Sequence, residues 1–281
     1  VVWLPDSVEE AWEIKQEFGI DSCFVAGGTL LQVHWRKGKP CPAHLISLER
    51  MKEIQESGRV LDGERTVMCF GALSTIDWLK HNPEILNNAP LLSEAVRNIA
   101  APAIRSRATI GGNIVNGYGD AIPALLALDA IVTYFDGKNR KTELLWNYLQ
   151  KKHTMQNSIL ISVGIPEMME TPKTVSFFQK IGRREAFSPS VVTISGYCCL
   201  NDRKEMIHIR LAAGSADTLP LRLMSCENLL KGLVSTKCDW KNVHQAITEE
   251  FTPCSDAFSS AYYKRMAAAN VIVSELSRFI E

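Results

Sequence analysis

The sequence predicts an α+β chain: two small α/β lobes followed by a separate α+β cap. Two observations carry this. An early strand–glycine turn–helix–strand unit sits well ahead of a second glycine-rich segment that leads into an apolar helix. The last third then changes character, with successive long strand-like runs and two closing helices. The 281 residues are 46% hydrophobic and 22% charged, enough for a substantial core and more than one subdomain. The expected division is 1–170 (subdomains 1–50 and 51–170) and 171–281, broken near the polar, proline-bearing stretch Glu167–Thr174.

The first helix opens at Ser7, a candidate N-cap with Glu10 three residues on, and stops at Gly19. Cys23 to Ala26 reads as a strand. Gly27 and Gly28 turn the chain, Thr29 offers a hydroxyl, and Leu30 to Trp35 reads as a short helix. His44 to Leu48 is the next strand. Gly58 to Gly71 reads as a hairpin with Asp62-Gly63 at its turn. A helix follows with Ser74 as its expected cap. Pro90 to Ala100 is an amphipathic helix, which Pro102 should break.

The central stretch is Arg107 to Ala130. Gly111 and Gly112 remove side chains where a backbone turns sharply or a ligand approaches, with Thr109 and Asn113 beside them. A glycine turn at a helix N-terminus can hold an anion on backbone N–H groups. An ordinary tight turn has the same composition. Two such turns, Gly27-Gly28 and Gly111-Gly112, could close on one diphosphate from two sides. Neither matches G-x-G-x-x-G or the Walker pattern. Asp120 can accept from a ligand hydroxyl, hold a loop, or cap the helix at Pro123–Ala130.

Ile131 to Phe135 and Ile159 to Ile165 read as strands, and Leu144 to Leu149 as helix. In the last third Val175 to Lys180, Val191 to Leu200 and Met206 to Ala213 form an expected three-stranded meander. Leu219 to Leu230, Trp240 to Glu249 and Ala257 to Phe279 are the expected helices. Gln179, Lys180, Arg183 and Arg184 offer donors near a strand end, as a flavin would need at its N1–C2=O edge. A salt-bridged or solvated turn is the plain alternative. Leu160 and Ile161 offer an apolar wall of the kind a flavin ring needs, and equally a buried strand.

Composition excludes several classes. Lysine plus arginine equals aspartate plus glutamate at 31 each, so nothing marks a nucleic-acid-binding surface. No apolar run reaches the length of a membrane span, and the expected setting is the cytoplasm. The eight cysteines form no C-x-x-C, no metal spacing and no iron–sulfur pattern, so no metal site is expected in the chain. No G-x-S-x-G or H-E-x-x-H occurs, and no catalytic residue is expected.

Ala26–Thr29 (AGGT), Thr109–Asn113 (TIGGN) and Asp120–Ala130 (D-x-x-P-A-L-L-A-L-x-A) together resemble the FAD-binding medium subunit of molybdenum hydroxylases, the xanthine dehydrogenase and carbon monoxide dehydrogenase group. Gly71-Ala72, Leu160–Pro166, Lys180–Glu185 and Ala261–Arg265 extend the resemblance over nearly the whole chain. It implies a PCMH/vanillyl-alcohol-oxidase-type FAD-binding domain of two α/β subdomains. A carbon monoxide dehydrogenase flavoprotein-type α+β domain would follow.

By the same resemblance FAD is bound non-covalently by Val25, Ala26, Gly27, Gly28, Thr29, Leu30 and Leu31, by Gly71 and Ala72, and by Thr109, Ile110, Gly111, Gly112 and Asn113. Asp120 matches the family's flavin-site aspartate, and Leu160 a residue against the isoalloxazine. Gln179 stands where some relatives carry a flavin-edge lysine, with Lys180 beside it. The segment Ile114–Gly119 is shorter than in many relatives, and Tyr118 takes up space near the flavin. The implied task is electron transfer. A small subunit with [2Fe-2S] clusters would supply electrons from a molybdopterin-binding large subunit, and FAD would pass them to NAD+ or another acceptor. Two other readings stand beside it: a stand-alone FAD-dependent oxidase and a cofactor-free scaffold subunit.

Overall fold

The computed structural model describes residues 1–63, 65–151, 158–169, 171, 173–184, 188–234 and 237–278. Strands β1 (Val2–Trp3), β2 (Ser22–Val25) and β3 (His44–Ser47) form a parallel sheet in the order β1-β3-β2. Helix α1 (Val8–Phe18) begins where Ser7 accepts the Glu10 amide and ends at Gly19, whose φ is 48°. Helix α2 (Thr29–Arg36) starts directly behind Gly28, which sits in the left-handed region at φ 70°. Glycine adopts that conformation without the Cβ clash other residues meet.

The second unit carries β4 (Ser57–Asp62), β5 (Arg65–Gly71), α3 (Ile76–His81), α4 (Pro83–Asn88), α5 (Pro90–Arg97), α6 (Pro102–Arg105), α7 (Ile110–Asn116), α8 (Ile122–Ala127), β6 (Ile131–Phe135), β7 (Arg140–Leu144), α9 (Leu145–Gln150) and β8 (Ile159–Pro166). Its five-stranded sheet runs β4-β5-β8-β6-β7, antiparallel throughout. Alternation along β8, shifted by a bulge opposite Thr133–Tyr134, divides its side chains between two cores. Ile159 and Ile161 meet Val8, Ala11 and Ile46 of the first unit, whereas Leu160 and Val163 face the helical layer.

Several sequence expectations change here. Thr75, not Ser74, caps α3: its hydroxyl accepts the Trp78 amide, and the Ser74 carbonyl accepts the Ile110 amide. Pro102 opens α6 instead of only ending the preceding helix, since a missing N–H costs nothing in a first turn. Gly111 and Gly112 lie inside the first turn of α7, not in a turn ahead of it.

The third unit is a four-stranded antiparallel sheet, β12-β11-β10-β9, from β9 (Lys173–Gly182), β10 (Ser190–Leu200), β11 (Met206–Ser215) and β12 (Thr218–Arg222). The expected three-stranded sheet is therefore one strand short. Thr218–Arg222 alternates against β11 as an edge strand, where Pro220 is tolerated. The helix expected from Leu219 is instead α10 (Met224–Leu230). It is followed by α11 (Trp240–Glu250) and α12 (Ala261–Arg278). The last begins later than Ala257 because Asp256 ties the amides of Phe258 and Ser259 into a turn, and Ser260 then accepts the Tyr263 amide. The expected end at Phe279, and Glu185, Ala186 and Phe187 of the basic turn, lie outside the described residues.

Helix α8 joins the units. All six of its residues are buried, and it packs against β10, β11 and β12. At its far end Asp129, at φ 47°, accepts from Arg210 (2.7 Å) and Arg222 (2.6 Å) of the third unit. Arg222 also pairs with Glu227 at 2.6 Å, and both are buried.

Candidate functional site

The two glycine segments meet. Gly27 lies flat against the backbone of Arg107 and Ala108: a methyl built on it would run into the Arg107 carbonyl, 2.7 Å from its carbon and 3.2 Å from the Ala108 Cα. Residues about eighty positions apart are thus in van der Waals contact through a position that only glycine can fill. The second segment is laced in turn to the first residues after β5. The amide of Gly111 donates to Ala72 (2.9 Å), that of Ile110 to Ser74 (3.0 Å), and that of Ile76 to Ala108 (2.8 Å). Gly71 presses on the Ile54 backbone and Gly111 on the Ala72 carbonyl. Ala72 and Ser74 accordingly hold the second segment in place, while Gly71 packs against Ile54.

The helices behind the two segments differ in what they leave open. At α7 the first amides are taken: Ile110 and Gly111 donate to backbone carbonyls, Gly112 donates to the Thr109 hydroxyl at 3.1 Å, and Asn113 to the Thr109 carbonyl. At α2 Gly28 has no side chain to cap with, and the amides of Gly28, Thr29, Leu30 and Leu31 take no acceptor among the described residues. Unsatisfied first-turn amides at the positive end of a helix are an anion-binding arrangement. Both turns were expected to present donors alike. The second is instead closed by its own capping, and its open feature is the exposed face of Gly112, where an added Cβ would meet only the Thr109 hydroxyl, at 3.1 Å.

Asp120 settles between two elements of the third unit. Its carboxylate accepts from Lys180 Nζ at 2.7 Å and from Ser190 Oγ at 2.7 Å, and Lys180 also donates to the Asn98 carbonyl at 3.0 Å. Asp120 is therefore not the cap of α8, for which Ala121 stands at the N-cap position without a side-chain bond. Strand alternation decides between the neighbouring candidates on β9. Phe178 and Lys180 face the second unit, while Phe177 and Gln179 face the other way. Gln179 donates to Glu275 of α12 at 3.0 Å, and the structure does not bring it to Asp120.

Asn113 accepts the Ala121 amide at 3.3 Å, and its side-chain oxygen occupies the space a Cβ on Gly119 would need. Leu160, 4% exposed, is buried in one core with Ile110 and Ile114 of α7. Val25, Ala26 and Thr29 are half-buried, whereas Leu30, at 39%, and Tyr118, at 40%, are exposed. A separate cavity of about 330 Å³, lined by Arg59, Asn88, Ile165 and Glu167 among others, shares no residue with this cluster.

Residues 1–168 match the family described as FAD binding domain in molybdopterin dehydrogenase, and residues 177–278 match the CO dehydrogenase flavoprotein C-terminal domain. The chain belongs to this flavoprotein family. It is 26% identical over 283 aligned residues to the carbon monoxide dehydrogenase medium chain of Hydrogenophaga pseudoflava, covering 97% of this chain and 94% of that one. It is 22% identical to the nicotinate dehydrogenase FAD-subunit of Eubacterium barkeri, covering 96% and 92%. The solved carbon monoxide dehydrogenase from H. pseudoflava that lacks the Mo-pyranopterin moiety superposes with a TM-score of 0.86 at 25% identity, covering 98% and 95%. The expected architecture, a PCMH-type FAD-binding domain with a carbon monoxide dehydrogenase flavoprotein-type domain behind it, is the one found.

The residues present fit the dinucleotide of this flavoprotein family. The open amides of Gly28 to Leu31 suit a diphosphate, and the bare faces of Gly28 and Gly112 leave room for close approach. A fixed cation at Lys180 suits a ring that gains negative charge. Among the described residues no group of three or more His, Cys, Asp or Glu is placed to hold a metal ion, and no helix is long and apolar enough to cross a membrane. Sequence reasoning missed Ser190, Asn98, Arg107 and Gly119. Gly119 carried a signal of its own, as the fourth glycine of the central stretch and the one just before Asp120; the others act through contacts that no local pattern encodes.

Proposed function

We propose that this chain is the FAD-containing electron-transfer subunit of a molybdenum hydroxylase of the xanthine dehydrogenase type. The observation that carries the reading is the contact of Gly27 with Arg107–Ala108, which puts the open amides of α2 beside the second glycine segment. Residues 1–170 would hold FAD, and residues 171–281 would bring Lys180 to it. Bound FAD can take electrons singly and release them as a pair. The chain's own part is to hold the diphosphate on the amides of Gly28–Leu31, to admit the cofactor past Gly112, and to fix a cation at Lys180. The electrons would come from [2Fe-2S] clusters in a small partner subunit, fed by a molybdopterin-binding large subunit, and would leave to NAD+ or another acceptor. Similarity over nearly the full length to medium chains and FAD-subunits supports this assignment, and the cytoplasm is its proposed setting.

The test is FAD titration of the full chain against Gly112→Leu. A Cβ added at Gly112 meets only the Thr109 hydroxyl, the position is exposed, and leucine favours a helix over glycine by roughly 1 kcal/mol, so folding should not suffer. Loss of FAD binding with an unchanged Tm is expected; wild-type FAD content in the variant overturns the assignment. Anaerobic purification from the source organism with metal, flavin and subunit analysis tests the partners. A chain isolated alone, with flavin and its own substrate turnover, would favour the oxidase.

A further inference from the structure

Helix α5 ends at Arg97, and the chain then turns through Ala100, whose φ of 45° is left-handed and disfavoured for any residue with a Cβ. Three successive carbonyls at this end each accept from a cation. Arg105 Nη1 reaches Ile99 O at 3.0 Å and Ala100 O at 2.6 Å, and Lys180 Nζ reaches Asn98 O at 3.0 Å. Carbonyls past a helix C-terminus have no partner within the helix and carry its negative end, so two cations there are favoured. The two come from different units. Arg105 is 7% exposed, and its Nε finds no partner among the described residues. Burying a guanidinium with one N–H unmet is costly, so the bonds it does make have to compensate.

We propose that Arg105 is a positioning residue for the Lys180–Asp120 pair, acting through the Asn98–Ala100 turn; this rests on the reading of that pair as the flavin-edge cluster. Arg105 holds the strained turn closed, and the turn presents the Asn98 carbonyl to Lys180. Lys180 is thereby fixed by two acceptors, Asn98 O and Asp120 Oδ2, instead of swinging on the carboxylate alone. Among the described residues the Arg105 side chain donates to neither Asp120 nor the glycine segments. Its effect on the site would be indirect, through the location of one positive charge.

The experiment is the midpoint potential of FAD bound to the full-length chain, measured by dye equilibration. Lys180→Met should lower the potential, because a nearby cation favours the negative charge that builds on the ring. Arg105→Met should lower it in the same direction by a smaller amount. Arg105→Lys should restore most of the shift, since an ammonium can donate to both carbonyls. A potential unchanged in Arg105→Met while Lys180→Met shifts it overturns the proposal, and a lowered Tm alone does not rescue it. No shift in Lys180→Met overturns the underlying reading of the cluster instead. Should Arg105→Met fail to fold, Arg105→Gln replaces it, since a shorter, uncharged amide weakens the bonds to both carbonyls and leaves the strain at Ala100 in place. A wild-type potential in that variant, while Lys180→Met shifts it, equally overturns the proposal.

Discussion

Replacing Gly27 by alanine tests the contact on which the site depends. The added methyl would overlap the Arg107 carbonyl oxygen, with the carbonyl carbon at 2.7 Å and the Ala108 Cα at 3.2 Å, where real Cβ contacts essentially never fall under 3.0 Å. The atoms it meets are all backbone, so no rotamer change relieves the overlap; one segment must move away from the other. Overpacking of this kind typically costs about 1–3 kcal/mol. The second segment is pinned by Gly111 to Ala72 and by Ile110 to Ser74, so the displacement falls on the shorter, less bonded turn before α2. That turn carries the open amides. If about 2 kcal/mol of the cost appears in ligand binding, the Kd for FAD weakens by roughly thirtyfold. Titration calorimetry of the apo chain gives the Kd, and near-UV circular dichroism checks the fold. Gly58→Ala on β4 is the control: nothing stands within 4 Å of the added methyl, and its backbone is not left-handed. A folded Gly27→Ala chain that binds FAD within about twofold of wild type would refute the reasoning, since even 1.4 kcal/mol is tenfold.

Arg222→Met should destabilise by about 3–5 kcal/mol, because it leaves Glu227 buried without its cation, and the Tm should fall by roughly 10 °C; a fall below about 2 °C would count against the buried pair as a source of stability. Lys264 is buried between Asp217 and Asp256 at 2.8 Å from each. Burial pushes the Asp217 carboxyl up, but hydrogen bonds from Lys264 and Ser215 outweigh it and hold the group below the ordinary range; for Asp256 the Lys264 bond is the main cause in the same direction. Carboxyls depressed in the folded state stabilise above their unfolded pKa and lose that contribution as pH falls through the folded value. Urea midpoints should therefore drop below about pH 4, and Lys264→Met should flatten that drop; identical acid slopes in the two proteins would exclude the linkage. Burial pushes the thiols of Cys198 and Cys226 up to about 12, so brief alkylation near neutral pH should mark the exposed Cys41 and Cys254 and spare those two. Peptide mapping that finds Cys198 labelled first would contradict the packing of β10.

Much of the fold follows from patterns within a few residues. The Asp62-Gly63 hairpin, the Ser7 cap and the strand at Ile159–Pro166 depend on turn chemistry and alternation, and each forms where the sequence puts it. The glycine pair at Gly111 is different. Glycine is a poor helix former, so its presence reads as a turn, yet the close approach of Ala72 requires a missing Cβ within the first turn of α7. The sequence leaves Gln179 and Lys180 both open for a related reason. Phe177 and Phe178 are both buried, each in a different core, so the apolar pattern hides which face of β9 meets the second unit. Ser190, seventy residues after Asp120, is paired with it only once β10 is docked. Local rules therefore locate the two glycine segments, and long-range packing decides which side chains come to surround them.

Helix α8 shows why the site and the domain boundary are the same place. Its six residues are apolar and buried, which alone would let the helix slide or rotate in its slot, because burial has no direction. The two aspartates at its ends supply direction. Asp120 takes Lys180 and Ser190 from one end of the third unit's sheet, and Asp129 takes Arg210 and Arg222 from the other. Each carboxylate is matched to two donors, so a shift of one residue would leave a charge unpaired in a partly buried setting, a costly outcome. The pattern D-x-x-P-A-L-L-A-L-x-A is thus more than a buried helix with a ligand residue ahead of it. It is a register device in which one end fixes the domain and the other fixes a cation beside the glycine segments. Asp120 then has a structural duty whether or not a flavin is bound, and its substitution alone cannot separate docking from cofactor chemistry. Arg210 and Arg222 can, because they report on docking from the end of the helix that lies away from the glycine contact.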